Sequence, residues 1–63
     1  MTQKELLYLE DAIGHEQNII KICEETIKNL QDQNLITFME TELNNHKNLK
    51  DSLINLLEVK SNE

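Results

Sequence analysis

The stretch Gln31-Asp32-Gln33-Asn34 decides the fold, because it is a polar break between two long segments of helical periodicity. Asp32 is a good N-cap, since its carboxylate can accept amide hydrogens of the following turn and suits the positive end of a helix. The stretch predicts a turn at residues 31–34 between two helices. A turn this short makes the helices antiparallel neighbours.

The segment before the turn has the pattern of one long amphipathic helix. Thr2 followed by Glu5 matches a capping box, in which each side chain satisfies an amide of the first turn. We predict a helix over about residues 3–30. Gly14 leaves two alternatives, a tolerated glycine on a polar face or a break that makes residues 3–13 a separate short helix. Apolar residues recur at helical spacing at Leu6, Leu9, Ile13, Ile20, Cys23, Ile27 and Leu30.

The segment after the turn repeats this pattern and predicts a helix over about residues 33–58. The chain of 63 residues is one domain at most, so residues 1–63 are predicted to form a single all-α hairpin. The repeat is carried by Leu35, Met39, Glu42, His46, Leu49, Leu53 and Leu56, with Phe38, Leu43, Ile54 and Leu57 alongside.

Both predicted helices are apolar over more of their circumference than one contact can hide. At 100° per residue the apolar arcs cover roughly 200° of the first helix and roughly 160° of the second. A helix in a four-helix bundle touches two neighbours and hides about this much. We therefore expect two hairpins to associate as a homodimer, or a higher homo-oligomer, that contains a four-helix bundle.

Composition excludes several classes of function. The net charge is −6, with twelve acidic side chains against six lysines, which disfavours nucleic acid and anionic membranes as partners. No segment approaches the roughly 20 apolar residues of a membrane span, and the N-terminus does not resemble a signal peptide. The single cysteine, Cys23, cannot form a disulfide within the chain. A cytoplasmic protein is expected.

Three ionisable residues, Glu16, Glu42 and His46, lie inside the predicted apolar arcs. With the turn centred on Asp32 and Gln33, His46 falls level with Ile19, within reach of Glu16. Three interpretations stay open: a hydrogen-bonded Glu16–His46 pair that fixes the register, a metal site, or side chains that point to solvent. In a dimer the three residues would supply four carboxylates and two imidazoles, the ligand set of carboxylate-bridged di-iron bundles.

One set of residues carries a resemblance to known proteins. It consists of Lys4-Glu5-Leu6-Leu7-Tyr8-Leu9-Glu10-Asp11-Ala12, His15-Glu16, Leu30-Gln31-Asp32, Leu43 and His46. In these residues the chain resembles the short ferritin-like spore coat proteins (Coat F domain-like) of spore-forming Firmicutes. The resemblance covers roughly residues 3–57 and implies a ferritin-like bundle, a location in the spore coat and other spore proteins as partners.

The resemblance also implies possible iron ligands. Ferritin-like di-iron proteins carry a glutamate on one helix and Glu-x-x-His on the next; Glu16 matches the first, whereas Glu42 and His46 stand four residues apart instead of three. His15 lies at the edge of the apolar arc and is expected to be a boundary residue. Two-helix aspartyl-phosphate phosphatases of sporulation are similar in architecture only, because their Ser-Gln-x-Leu-Asp motif is missing.

Three hypotheses of function follow. The first is a structural or interaction protein, a self-associating bundle associated with the spore. The second is a metal-binding, ferritin-like di-iron bundle that uses Glu16, Glu42 and His46. The third is a regulatory hairpin that binds a partner protein. The sequence has no nucleophile–base pair, phosphate loop or cofactor signature, so we do not expect an enzyme, and iron or another divalent metal is the one cofactor considered.

Overall fold

Two long helices form an antiparallel hairpin in the computed structural model, which describes residues 1–62. Helix α1 spans Gln3–Asn29 and helix α2 spans Gln33–Ser61, and they pack along their length. The hairpin measures 47 × 14 × 10 Å between Cα atoms. Residues 1–62 contain no strand, so the predicted all-helical hairpin is confirmed.

The capping box predicted at the start of α1 is present. The amide of Thr2 donates to Glu5 Oε1 at 2.8 Å, and the amide of Glu5 donates to Thr2 Oγ1 at 3.1 Å. The hydrogen bond that the Thr2 amide donates to the Glu5 carboxylate, and after it the interaction of that carboxylate with the Thr2 side chain, hold the pKa of Glu5 below its ordinary value of 4.5. Folding of the first turn of α1 therefore favours the ionised form of the Glu5 carboxyl.

The link between the helices has three residues, one fewer than the predicted turn. Helix α1 ends at Asn29, and Leu30 adopts an extended conformation with its amide donating to Ile27. Asp32 is the N-cap of α2, as predicted, and its carboxylate accepts from the amides of Asn34 and Leu35 at 2.9 and 3.2 Å. Helix α2 also runs three residues further than the predicted residue 58, to Ser61.

Gly14 does not interrupt α1. The helix is continuous from Gln3 to Asn29, so residues 3–13 are not a separate helix. A methyl group added at Gly14 would meet nothing within 4 Å. The glycine is therefore tolerated on an open surface, and no close approach requires it.

The packed core of the hairpin is thin. Among residues 1–62 only Ile20 and Cys23 are buried, with 8% and 5% of their surface exposed, and α2 contributes no buried residue. The other side chains between the helices are half-buried; we call the inner stripe Leu9, Ile13, Glu16, Ile20, Cys23 and Ile27 of α1 with Met39, Leu43, His46, Leu53 and Leu57 of α2. Neither helix, over the residues described, is long and apolar enough to cross a membrane.

Candidate functional site

A cluster of three ionisable side chains interrupts the inner stripe. Glu16 comes from α1, one turn before Ile20, and His46 and Glu42 come from successive turns of α2. The helical repeat that places leucines and isoleucines between the helices also places these three residues there. The structure thus brings together all three residues that the sequence analysis singled out.

The imidazole of His46 lies between the two carboxylates. His46 Nδ1 is 2.5 Å from Glu16 Oε2, which joins the two helices by a side-chain hydrogen bond. His46 Nε2 is 3.8 Å from Glu42 Oε2 on its own helix, which is an ion-pair distance when the ring is protonated but too long for a hydrogen bond. Glu16 is 12% exposed and His46 27% exposed, whereas Glu42 is 38% exposed and reaches solvent.

The contact between Glu16 and His46 corrects the predicted register of the hairpin. The sequence analysis placed His46 level with Ile19, whereas the hydrogen bond joins it directly to Glu16. The reason is the link: with α1 ending at Asn29 and Asp32 capping α2, the middle of the link is Gln31. The hydrogen-bonded pair, one of the three interpretations left open, is the arrangement that the structure contains.

The three side chains do not converge on one point. Each carboxylate faces a different nitrogen of the His46 ring, whereas a single ion would need its ligands to meet at one position. Residues 1–62 of one hairpin contain no group of three His, Cys, Asp or Glu side chains arranged to hold a metal ion. The arrangement within one chain therefore does not fit a mononuclear site, and iron binding by Glu16, Glu42 and His46 stays a prediction.

A second set of apolar residues lies outside the inner stripe and is exposed. Phe38, Val59 and Tyr8 are 60%, 62% and 63% exposed, and the remaining apolar residues of this set are close to half exposed. We call this surface the outer face and define it by Tyr8, His15 and Ile22 of α1 with Leu35, Phe38, Leu49, Leu56 and Val59 of α2.

The outer face follows a seven-residue repeat on both helices. Leu35, Leu49 and Leu56 stand at multiples of seven residues, as do Tyr8, His15 and Ile22. This repeat is typical of helices that pack against another helix along a seam. The sequence analysis merged these residues with the inner stripe into one broad arc. The inner stripe has the same seven-residue spacing, at Ile13, Ile20 and Ile27 for example, so the spacing alone does not separate the two.

Both helices present their part of the outer face on the same side of the hairpin. On each helix these residues lie roughly 100° around the helix axis from the inner stripe, in the same rotational sense when each helix is viewed from its N-terminus. Because the two helices are antiparallel, this rotation places both sets of residues on the same side of the hairpin. A groove near the helix ends is lined jointly by Met1, by Tyr8 of α1 and by Leu56 of α2. The outer face is therefore one continuous surface, two helices wide.

The remaining ionisable residues near these surfaces have simpler surroundings. His15 is exposed on the outer face, next to Glu16 in sequence but outside the inner stripe. Cys23 is buried and forms no disulfide, as expected of a small apolar core residue. Lys50 is half-buried, as a long side chain that keeps its charge in water can be.

No protein-family model, curated protein or solved structure matches the chain. The resemblance to spore coat proteins therefore stays a prediction from its residues. The geometry of the polar cluster and of the outer face is the basis for the function discussed below.

Proposed function

We propose that this chain is a structural or interaction protein that acts as a homodimeric four-helix bundle, in which the outer faces of two hairpins cover each other. The observation that carries the proposal is the contrast between a core of two buried residues and the row of large apolar side chains left in water. Because these side chains are already about half covered, a monomeric hairpin would forgo roughly half of the about 1.5–3 kcal/mol that full burial of each one gives.

The exposed area supports the same proposal. The hairpin exposes 4865 Å², whereas a compact folded protein of 7.4 kDa exposes about 4,200 Å². Two adjacent helices form a face about 20 Å wide, so covering the 47 Å length of the hairpin would bury on the order of 900 Å² per protomer. That is the size of a stable protein–protein interface.

A second copy is the partner that matches this face in width and length. A two-helix surface with two parallel apolar stripes is covered completely by another two-helix surface of the same kind. The opposite side of the hairpin carries polar and charged residues such as Gln17, Lys21, Asn44 and Asp51 and offers no second seam. Association through one face closes the assembly at two chains.

The biological setting is part of the proposal and rests on the resemblance alone. The segment from Lys4 to Ala12 and the residues at the turn support a ferritin-like bundle of the spore coat type. On this reading the chain serves in the spore coat or the cytoplasm of a spore-forming cell, with other spore proteins as further partners.

The mass in solution tests the dimer. At micromolar concentration, multi-angle light scattering is expected to give twice the chain mass of 7.4 kDa. Leu49→Glu should produce folded monomer and raise the dissociation constant by about 100-fold or more, because the two-fold axis doubles the loss of each buried leucine. Asn44→Glu adds the same charge on the polar side of α2 and should leave the dimer intact.

A well-folded wild-type monomer at high concentration would overturn the proposal. In that case the outer face would be available to a different protein, and the regulatory hairpin would become the better hypothesis. Equal effects of Leu49→Glu and Asn44→Glu would show that charge alone, and not the outer face, controls association.

A further inference from the structure

We infer that the two hairpins of the dimer lie with their turns at opposite ends, so that α1 packs on α1 of the second copy and α2 packs on α2. The inference rests on the proposed dimer and adds its orientation. In a two-fold dimer made through the outer face, the alternative is a bundle with both turns at the same end, in which α1 packs on α2 of the second copy.

The outer face of α2 is symmetric about its own middle. Lys47 is the central residue of the helix Gln33–Ser61. It lies midway in sequence between Leu35 and Val59, and also midway between Phe38 and Leu56. When two copies of α2 pack antiparallel about this level, bulky apolar side chains therefore meet bulky apolar side chains at both ends. Nearer the middle the symmetry is incomplete, because Leu49 lies level with Asn45 of the partner subunit.

The outer face of α1 is symmetric in the same way. His15 lies midway between Tyr8 and Ile22, so an antiparallel pair of α1 helices centred on His15 places each tyrosine beside an isoleucine. The contact between Glu16 and His46 puts His15 level with Lys47. The centres of both helices thus share one level, and a single two-fold axis through that level satisfies both pairs.

Two polar positions at the edge of the outer face, Glu42 and Ser52, distinguish the two orientations. They are equally distant in sequence from Lys47, so with the turns at opposite ends the Glu42 carboxylate faces Ser52 of the partner subunit, whose hydroxyl can donate to it, although Leu49 and Leu56 of the partner subunit lie on either side. With the turns at the same end, Glu42 would lie against Ile19 and Ile22 of the partner subunit, since its own level on α1 is close to Ile20. Burying a carboxylate without a hydrogen-bond donor is costly, which favours opposite ends.

The distance between the two turns tests the orientation. A nitroxide spin label on Gln31→Cys, in a Cys23→Ala background, places one label on the exposed link of each protomer. Pulsed dipolar spectroscopy should give a separation close to the 47 Å length of the hairpin. A separation under about 25 Å, the scale of neighbouring helix ends in one bundle, would overturn the inference.

A disulfide at the two-fold axis provides an independent measurement. His15→Cys in the same background should form a covalent dimer when oxidised glutathione takes up the two thiol hydrogens. Gln17→Cys, which is exposed on the polar side of α1, is the matched control and should stay uncoupled. Equal coupling of the two cysteines, or none at His15→Cys in a dimer, would contradict the inference.

The failures of the two proposals are distinguishable. A dimeric mass with a short distance between the labels would leave the dimer standing and reject the orientation. A monomeric mass with no dipolar interaction would reject the dimer, and with it the orientation.

Discussion

The inner stripe and the outer face are built from the same kinds of residue but differ in what covers them. Each is a row of leucines and isoleucines at helical spacing, and each is interrupted near its middle by polar side chains. In the inner stripe the interruption is satisfied within one chain, because His46 hydrogen-bonds Glu16. In the outer face, His15 has no hydrogen-bond partner on the other helix within residues 1–62. The comparison teaches that the inner stripe holds the two helices of one hairpin together, whereas the outer face stays exposed in a single hairpin.

The largest expected effect comes from truncating the inner stripe. Ile20→Ala truncates one of the two buried side chains and should lower the free energy of unfolding by about 2–5 kcal/mol, measured by urea denaturation followed by circular dichroism. Leu7→Ala is the control, because Leu7 is exposed and lies outside both apolar surfaces; it should cost less than about 0.5 kcal/mol. Similar losses for the two variants would mean that the helices do not pack along the inner stripe.

A smaller effect is expected from the polar pair. Glu16→Leu leaves His46 without its partner, and His46→Leu leaves the nearly buried Glu16 without its own, so each should cost about 1–3 kcal/mol. The double variant Glu16→Leu/His46→Leu should recover most of this loss, because two apolar side chains replace the pair. Denaturation of the four proteins measures the coupling energy.

Gln17→Leu controls for the added leucine in that cycle. Gln17 is exposed and is adjacent to Glu16, so the substitution should change stability little. Losses from the two single variants that simply add in the double variant would contradict a Glu16–His46 interaction.

The smallest effect concerns the start of α1 and depends on pH. Because its hydrogen bonds with Thr2 lower the pKa of Glu5 in the folded state, this contribution to stability is complete above the ordinary value of 4.5 and is lost as the pH falls through the lower folded value. A nuclear magnetic resonance titration should show Glu5 protonating below pH 4.5 in the wild type. Thr2→Ala keeps the amide of residue 2 and removes only the hydroxyl, so it should return the pKa of Glu5 part of the way to its ordinary value. A wild-type midpoint at or above 4.5 would refute the capping box.

The helices and their caps could be predicted because local sequence determines them. Thr2 and Glu5 satisfy amides of the turn that they begin, and Asp32 does the same for α2, so no distant contact was needed to find them. The meeting of Glu16 and His46 was also foreseeable, since residues of an antiparallel hairpin at equal distances from the turn lie side by side.

The register was less predictable, because it depends on the conformation of single link residues. The sequence does not show whether Leu30 continues α1 or extends, and its extended conformation moved the centre of the link to Gln31. The sequence analysis did not divide each apolar arc into an inner stripe and an outer face, and this has a different reason. The side chains of Phe38 and Met39 are both apolar, and only the packed structure shows that Met39 is half-buried while Phe38 stays exposed.

The link between the helices contains no glycine or proline, and its residues have no positive φ. Ordinary backbone conformations at Leu30 and Asp32, together with the capping hydrogen bonds of Asp32, are what keep the chain from continuing as one helix. No residue of the link is therefore restricted to a conformation that a helix could not adopt. Weakening the cap therefore lowers the barrier to a straightened chain, in which two molecules exchange their second helices and keep every inner-stripe contact.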